Sequence, residues 1–203
     1  MIGFYNYTVI LTYVGVCFGM LGIYAAAYGD IRGAMICLLA SGFCDLFDGR
    51  IARTKQRTDQ EKRFGIQIDS LADLVDFGAL PAVIGFQLGL EGFRAFLLCL
   101  YVLAALIRLA YFNVTEDELQ IGRSEKRVAY DGLPVTTAAL IFPAVYAAAP
   151  LLGSHLTSAY GIAMTLVAAA FVIPFRIQKP KTPGVIVMSV FGVLISAMIV
   201  LGE

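Results

Sequence analysis

The residues best able to do chemistry are two acidic strings. Cys44-Asp45-Leu46-Phe47-Asp48-Gly49-Arg50-Ile51-Ala52-Arg53 is followed, after eleven further residues, by Gly65-Ile66-Gln67-Ile68-Asp69-Ser70-Leu71-Ala72-Asp73. At about 100° per helical residue, Asp48, Gly49 and Ala52 fall within about 60° of Asp45, with Arg53 near the edge of that stripe. Gly65, Asp69 and Asp73 share one face of the next segment. Bringing the two faces together assembles four carboxylates. Such a cluster repels itself unless protons or cations intervene, and hard divalent ions favour an all-oxygen shell. The glycines let a ligand approach the backbone closely, and Arg53 offers a planar fork suited to phosphate. The residues therefore predict a metal site beside an anion site. The plainer alternative makes these acids solvated helix ends paired with nearby arginines. Four acids on two matched faces weigh against it, since each carboxylate at membrane depth costs about 2.5–3.5 kcal/mol.

The elements that must position them are membrane helices. Hydrophobic residues make up 59% of the 203 residues and only 15% are charged, more apolar surface than a water-facing domain of this length can bury. A hydrocarbon core of ~30 Å needs about 20 helical residues. On that length the spans are Tyr7–Tyr28, Gly33–Ala52, Gln67–Leu90, Phe93–Asn113, Leu133–Leu152, Leu156–Phe175 and Gly184–Leu201. The fold class predicted is all-α: a polytopic transmembrane bundle of six core helices plus a seventh, C-terminal one. One membrane domain is expected over 1–203, with a core of about 6–175 and a C-terminal helix over 184–201. The first apolar stretch has no basic segment before it and no small-residue cleavage pattern, so it is expected to stay as a mature helix. Cys17, Cys37, Cys44 and Cys99 lie in apolar runs without paired spacing and read as small buried hydrophobes. The net charge is zero, which leaves no footprint for nucleic acid.

Orientation follows from the basic residues. Arg50, Arg53, Lys55, Arg57, Lys62 and Arg63 lie between spans two and three; Arg123, Lys126 and Arg127 follow span four; Arg176, Lys179 and Lys181 follow span six. All twelve share one side, against Arg32 and Arg94 on the other, while Arg108 sits inside span four. The expected location is the cell (inner, cytoplasmic) membrane, with the acids facing the cytoplasm.

The string D-x-x-D-G-x-x-A-R-x(11)-G-x-x-x-D-x-x-x-D resembles the defining motif of the CDP-alcohol phosphotransferases, with a gap before Gly65 a few residues longer than the family's commonest form. The extra length, within Thr54 to Phe64, is expected to extend a polar cytoplasmic loop. The flanks Asp69-Ser70-Leu71-Ala72-Asp73-Leu74-Val75, Arg108-Leu109-Ala110-Tyr111-Phe112-Asn113 and Gly132-Leu133-Pro134 are similar to the phosphatidylserine synthase branch. The resemblance covers roughly residues 6 to 180. It implies a phospholipid-biosynthesis transferase that moves the phosphatidyl group of CDP-diacylglycerol to the hydroxyl of serine, releasing CMP. It further implies two Mg²⁺ or Mn²⁺ ions: Asp45 and Asp69 bridge them, Asp48 completes one site and Asp73 the other. Asp73 is implied as the general base, Gly49 and Arg53 as holders of the CDP moiety, and the assembly as a homodimer.

Serine's carboxylate needs a cation, and Arg108 is the basic residue inside an apolar run. It is expected to receive that carboxylate, or to form an ion pair with an acid such as Asp76. Asp76 departs from the usual small neutral residue at its position. It extends the Asp73 stripe, where it could bind the acceptor's ammonium group, pair with Arg108 or signal a different acceptor. Thr12 could reach the cytidine or bond its own helix backbone, while Gly15 and Gly19 form a small-x-x-x-small pair for close packing. Asn113, Arg123 and Lys126 read as a solvated face, and His155 carries no role. Rival readings are the same chemistry on glycerol phosphate or inositol phosphate, and a divalent-cation transporter. One basic residue in span four argues against phosphorylated acceptors. Acids confined to one face argue against a transport path.

Overall fold

A computed structural model describes residues 3–5, 7–52, 54–120, 129–178 and 182–201. Nine α-helices among these run in order: α1 (Tyr7–Ala27), α2 (Ile31–Ala52), α3 (Asp59–Asp73), α4 (Leu80–Gln87), α5 (Ala95–Gln120), α6 (Ala138–Ala147), α7 (Ala149–Leu152), α8 (Leu156–Val172) and α9 (Thr182–Leu201). A two-stranded antiparallel ribbon of three residues each, β1 (Ala129–Asp131) with β2 (Arg176–Gln178), is the one departure from helix pairing among them. The chain is thus a polytopic membrane helix bundle. Among the described residues, four helical stretches are long and apolar enough to cross a membrane: Tyr7–Ala27, Gly92–Glu116, Ala149–Val172 and Gly184–Leu201. A shorter apolar one covers Val135–Ala147. The remaining two predicted spans differ because α2 carries Arg32, Asp45, Asp48 and Arg50, and because the third is assembled from two shorter helices. Large apolar side chains such as Ile10, Leu103, Leu166 and Val187 stand exposed on the outer surface, as a lipid-facing bundle requires. Cys17 and Cys99 are exposed there too, although Cys44 is buried; a small apolar side chain is as welcome against lipid as in a core.

The buried face of α1 is Thr8, Thr12, Gly15, Gly19, Gly22 and Ala26, a three-and-four repeat of small residues that lets the helix lie close along α2. The contact is tight enough that a Cβ on Gly22 would stand 2.8 Å from Leu80 Cδ2 and 3.0 Å from Cys37 Cβ.

Two local features differ from expectation. The stretch Thr54–Phe64 is not all loop: α3 begins at Asp59. Thr58 Oγ1 accepts from the Glu61 N–H at 3.2 Å, and Glu61 Oε2 accepts from the Thr58 N–H at 2.9 Å. This capping box starts the helix inside the polar segment. The end of α2 is closed by Thr54, whose hydroxyl donates to the Ile51 carbonyl at 2.8 Å.

The second feature is a wide, π-type turn over Leu74–Ala79 between α3 and α4, closed by the Leu80 N–H on the Val75 carbonyl. Pro81 has no N–H to offer the Phe77 carbonyl four residues back. Tyr101 of α5 supplies the missing donor, its hydroxyl 2.6 Å from that oxygen, while Tyr160 of α8 donates to the Pro81 carbonyl at 2.9 Å. Both tyrosines are fully buried and stack around Phe142. Asp76, within the wide turn, lies against Gly15 and Gly19 of α1.

Removing the Tyr101 hydroxyl leaves a buried carbonyl without a donor, at a cost of about 1–3 kcal/mol. Tyr101→Phe is therefore expected to lower the thermal midpoint of the detergent-purified protein. An unchanged midpoint would show that the turn does not lean on this bond.

Candidate active site

Helices α2 and α3 run in opposite directions on either side of residues 54–58. α2 packs on the Leu74–Ala79 turn and stands further from α3, and the acids face one another in the space left between. Their carboxyl groups pair across it, Asp48 with Asp69 and, one turn deeper, Asp45 with Asp73. Ligand oxygens of Asp45, Asp48 and Asp69 all lie within 4.8 Å of one another. A shell of radius about 2.1–2.4 Å puts opposite oxygens roughly 4–5 Å apart, so the donor set fits a hard divalent cation in both spacing and chemistry. The buried Asp48 is held from α1: the Thr12 hydroxyl donates to its Oδ2 at 3.2 Å. Thr12 thus orients an acid, and it also lines the cavity beside Gly49.

Two polar cavities flank the acids. The first, about 190 Å³, is lined by Thr8, Thr12, Asp48, Gly49, Arg57, Gly65, Asp69 and Glu116 among others. A Cβ on Gly49 would meet nothing within 4 Å, so this glycine looks onto open space. The second, about 220 Å³, is lined by Asp45, Asp69, Asp73, Arg108, Phe112, Pro134 and Thr136 among others. Asp69 faces both, Asp48 the first and Asp73 the second. A third, apolar cavity reaches Asp45 and Thr136 from the side of α9. Leu39 and Phe43 line both this cavity and a groove of about 690 Å³ bordered by α2 and α9.

Arg108 is buried, and its guanidinium donates to the carbonyls of Leu133 at 3.1 Å and Gly132 at 3.4 Å. That corner is itself fixed, because the Leu133 N–H bonds the Ala170 carbonyl and Gly132 adopts φ +84° where a Cβ would crowd Ile173 O. Asp76, by contrast, is not among the residues lining the Arg108 cavity. It is buried against α1, where a Cβ on Gly19 would overlap its carboxylate, and its Oδ1 has no hydrogen-bond partner among the described residues. Asn113 is not a solvated face: it accepts from Ser70 at 2.6 Å and donates to Gln67 Oε1 at 3.1 Å, tying α5 to the helix that carries Asp69. Arg53, Arg123 and Lys126 lie outside the described residues. Arg57 and Thr136 are cavity residues that the motif does not point to.

The sequence profile of the CDP-alcohol phosphatidyltransferase family matches residues 5–201. Similar proteins include the CDP-diacylglycerol–serine O-phosphatidyltransferases of Saccharomyces cerevisiae, 43% identical over 52% of this chain and 38% of its own length, and of Helicobacter pylori J99, 32% identical over 68% of this chain and 55% of its own. That of Bacillus subtilis is 32% identical over 50% of this chain and 57% of its own length. The matched stretches thus span between about a third and three-fifths of those proteins.

Groups that orient a ligating carboxylate cost roughly 10–100-fold in metal affinity or activity when lost. Thr12→Val, which keeps shape and removes the hydroxyl, is expected to raise the Mn²⁺ concentration for half-maximal effect by about tenfold or more in a metal titration. A titration that overlays the parent would separate Thr12 from the acid cluster.

Proposed function

Since this chain belongs to the CDP-alcohol phosphatidyltransferase family, we propose that it transfers the phosphatidyl group of CDP-diacylglycerol to serine and releases CMP, a step of phospholipid biosynthesis. The observation that carries this reading is that three cavities border one set of acids: a glycine-lined one, one lined by Arg108, and an apolar one on the side of α9. A nucleotide, a small zwitterion and a lipid tail need those three surroundings. The serine branch is supported by the names of the similar proteins.

Asp45, Asp48 and Asp69, with Asp73 by family resemblance, would hold two divalent ions, Mg²⁺ or Mn²⁺. When bound, these would offset the charge of the diphosphate and of the departing CMP. Gly49, and by family resemblance Arg53, take the CDP moiety on the Asp48 side. Arg108, which lines the cavity on the Asp73 side, binds the serine carboxylate there. Asp73 accepts the hydroxyl proton as the serine oxygen forms its bond to the phosphatidyl phosphorus, and the bond from that phosphorus to CMP breaks. Asp76 stays an acceptor-side candidate only through its proximity to Asp73, since it faces α1.

The asymmetry of basic residues supports a multi-pass protein of the cytoplasmic membrane with these cavities on the inner side. A single domain and a homodimer complete the proposal on the family resemblance.

The decisive experiment measures CMP release from CDP-diacylglycerol by purified protein, with serine, glycerol phosphate or inositol phosphate as acceptor. Serine is expected to support turnover, with activity lost to chelator and to Asp69→Asn. Turnover with a phosphorylated acceptor instead would overturn the serine assignment while leaving the chemistry. Arg108→Ala is expected to raise the KM for serine by roughly tenfold or more while the donor KM changes little, the loss of a charge-assisted contact. A serine KM equal to the parent's would remove Arg108 from the acceptor site.

A further inference from the structure

We infer that Arg57, in the lengthened connection between α2 and α3, binds the diphosphate of the nucleotide-activated lipid. The inference rests on the donor proposed above and adds a residue that the family motif does not contain.

Arg57 is half-buried and lines the cavity that holds Gly49, Gly65 and Thr12. Among the described residues it is the basic side chain on that wall. Its Nη1 stands 3.0 Å from where a Cβ of Gly65 would be, so the missing side chain at Gly65 makes room for the guanidinium. The backbone on either side is secured. Lys55 binds Glu61 Oε1 at 3.1 Å and Thr58 binds Glu61 Oε2, so one carboxylate fastens both flanks of Arg57. At the start of the same connection, Thr54 is in hydrogen-bond contact with Tyr7 of α1 at 3.2 Å. A residue held this way loses little freedom when its ligand arrives.

The chemistry matches. Asp48 and Asp69 line the same cavity and, on the function proposed above, would hold cations on one side of a diphosphate. A planar guanidinium can bind the free oxygens on the other side through two parallel hydrogen bonds. Glu116 also lines the cavity, so the competing role for Arg57 is to offset the charge of Asp48, Asp69 and Glu116. That role predicts a change in cation affinity rather than nucleotide affinity.

The test uses the full chain in detergent and CDP as the probe, with its Kd measured by calorimetry at saturating Mg²⁺. Arg57→Ala is expected to weaken CDP binding roughly 10–100-fold, as for loss of a charge-assisted pair, with the donor-lipid KM rising in step and the serine KM steady. Arg57→Lys, which keeps charge without the fork, should fall between. Lys62→Ala, which removes a mostly exposed charge that pairs with Asp59, should match the parent. Equal CDP affinity in the parent, Arg57→Ala and Arg57→Lys would overturn the inference and leave the donor assignment standing. So would a loss confined to Mg²⁺ affinity measured without nucleotide. Failure of the parent itself to bind CDP would overturn both.

Discussion

Four carboxylates cannot share the interior of a membrane bundle without something to compensate their charge, and most of the architecture can be traced to that constraint. Isolated, each would be expensive at this depth; together they repel. The bundle brings them face to face across antiparallel helices, Asp48 with Asp69 and Asp45 with Asp73. The spacing of three residues on α2 and four on α3, at 1.5 Å of rise per residue, keeps the two pairs in step. The helices stand apart at that level, leaving space among the oxygens that suits a cation.

Holding two helices apart needs a third to bridge them, and α1 serves. Its face of small residues lies along α2 and reaches the wide turn after α3. At its polar end Thr12 steadies Asp48. One turn further in, Gly15 and Gly19 receive Asp76. On the far side α5 acts in the same way with different chemistry: Asn113 grips Gln67 and Ser70, Arg108 grips the corner at Gly132 and Leu133, and Tyr101 completes the turn at Phe77. The acids are thus fixed from two flanks by polar contacts that the apolar remainder of each helix brings into reach.

The acids were legible in the sequence because their spacing has only one geometric meaning on a helix, and the spans because their length matches the bilayer. The surroundings of Asp76 depend on a feature that its spacing does not show. Its position at three residues past Asp73 implies the same face only if the helix stays α. The turn is wide where Pro81 withholds a donor and Tyr101, twenty-four residues away, replaces it. The proline is visible locally, but the tyrosine's approach is tertiary. The start of α3 had a local signature, Thr58-Asp59-Gln60-Glu61, which a reading by hydropathy passed over because the segment is polar. Arg57 and Thr136 could not be singled out, since a basic loop residue and a threonine carry no spacing signal until the fold gives them a cavity.

The division of the acids between cavities bears on how the proposed reaction could be ordered in space. Asp48 faces the glycine-lined side, Asp73 the Arg108 side, and Asp69 both. A phosphorus held at the acids would then have its leaving group on one side and its attacking hydroxyl on the other, the in-line arrangement that phosphoryl transfer favours. A small apolar cavity borders Asp45 and Thr136 from a third direction, on the side of α9. A nucleotide that filled both polar cavities would block the acceptor. The wall between them, formed by Asp69 and Phe112, is therefore as important to the proposed chemistry as the groups that bind.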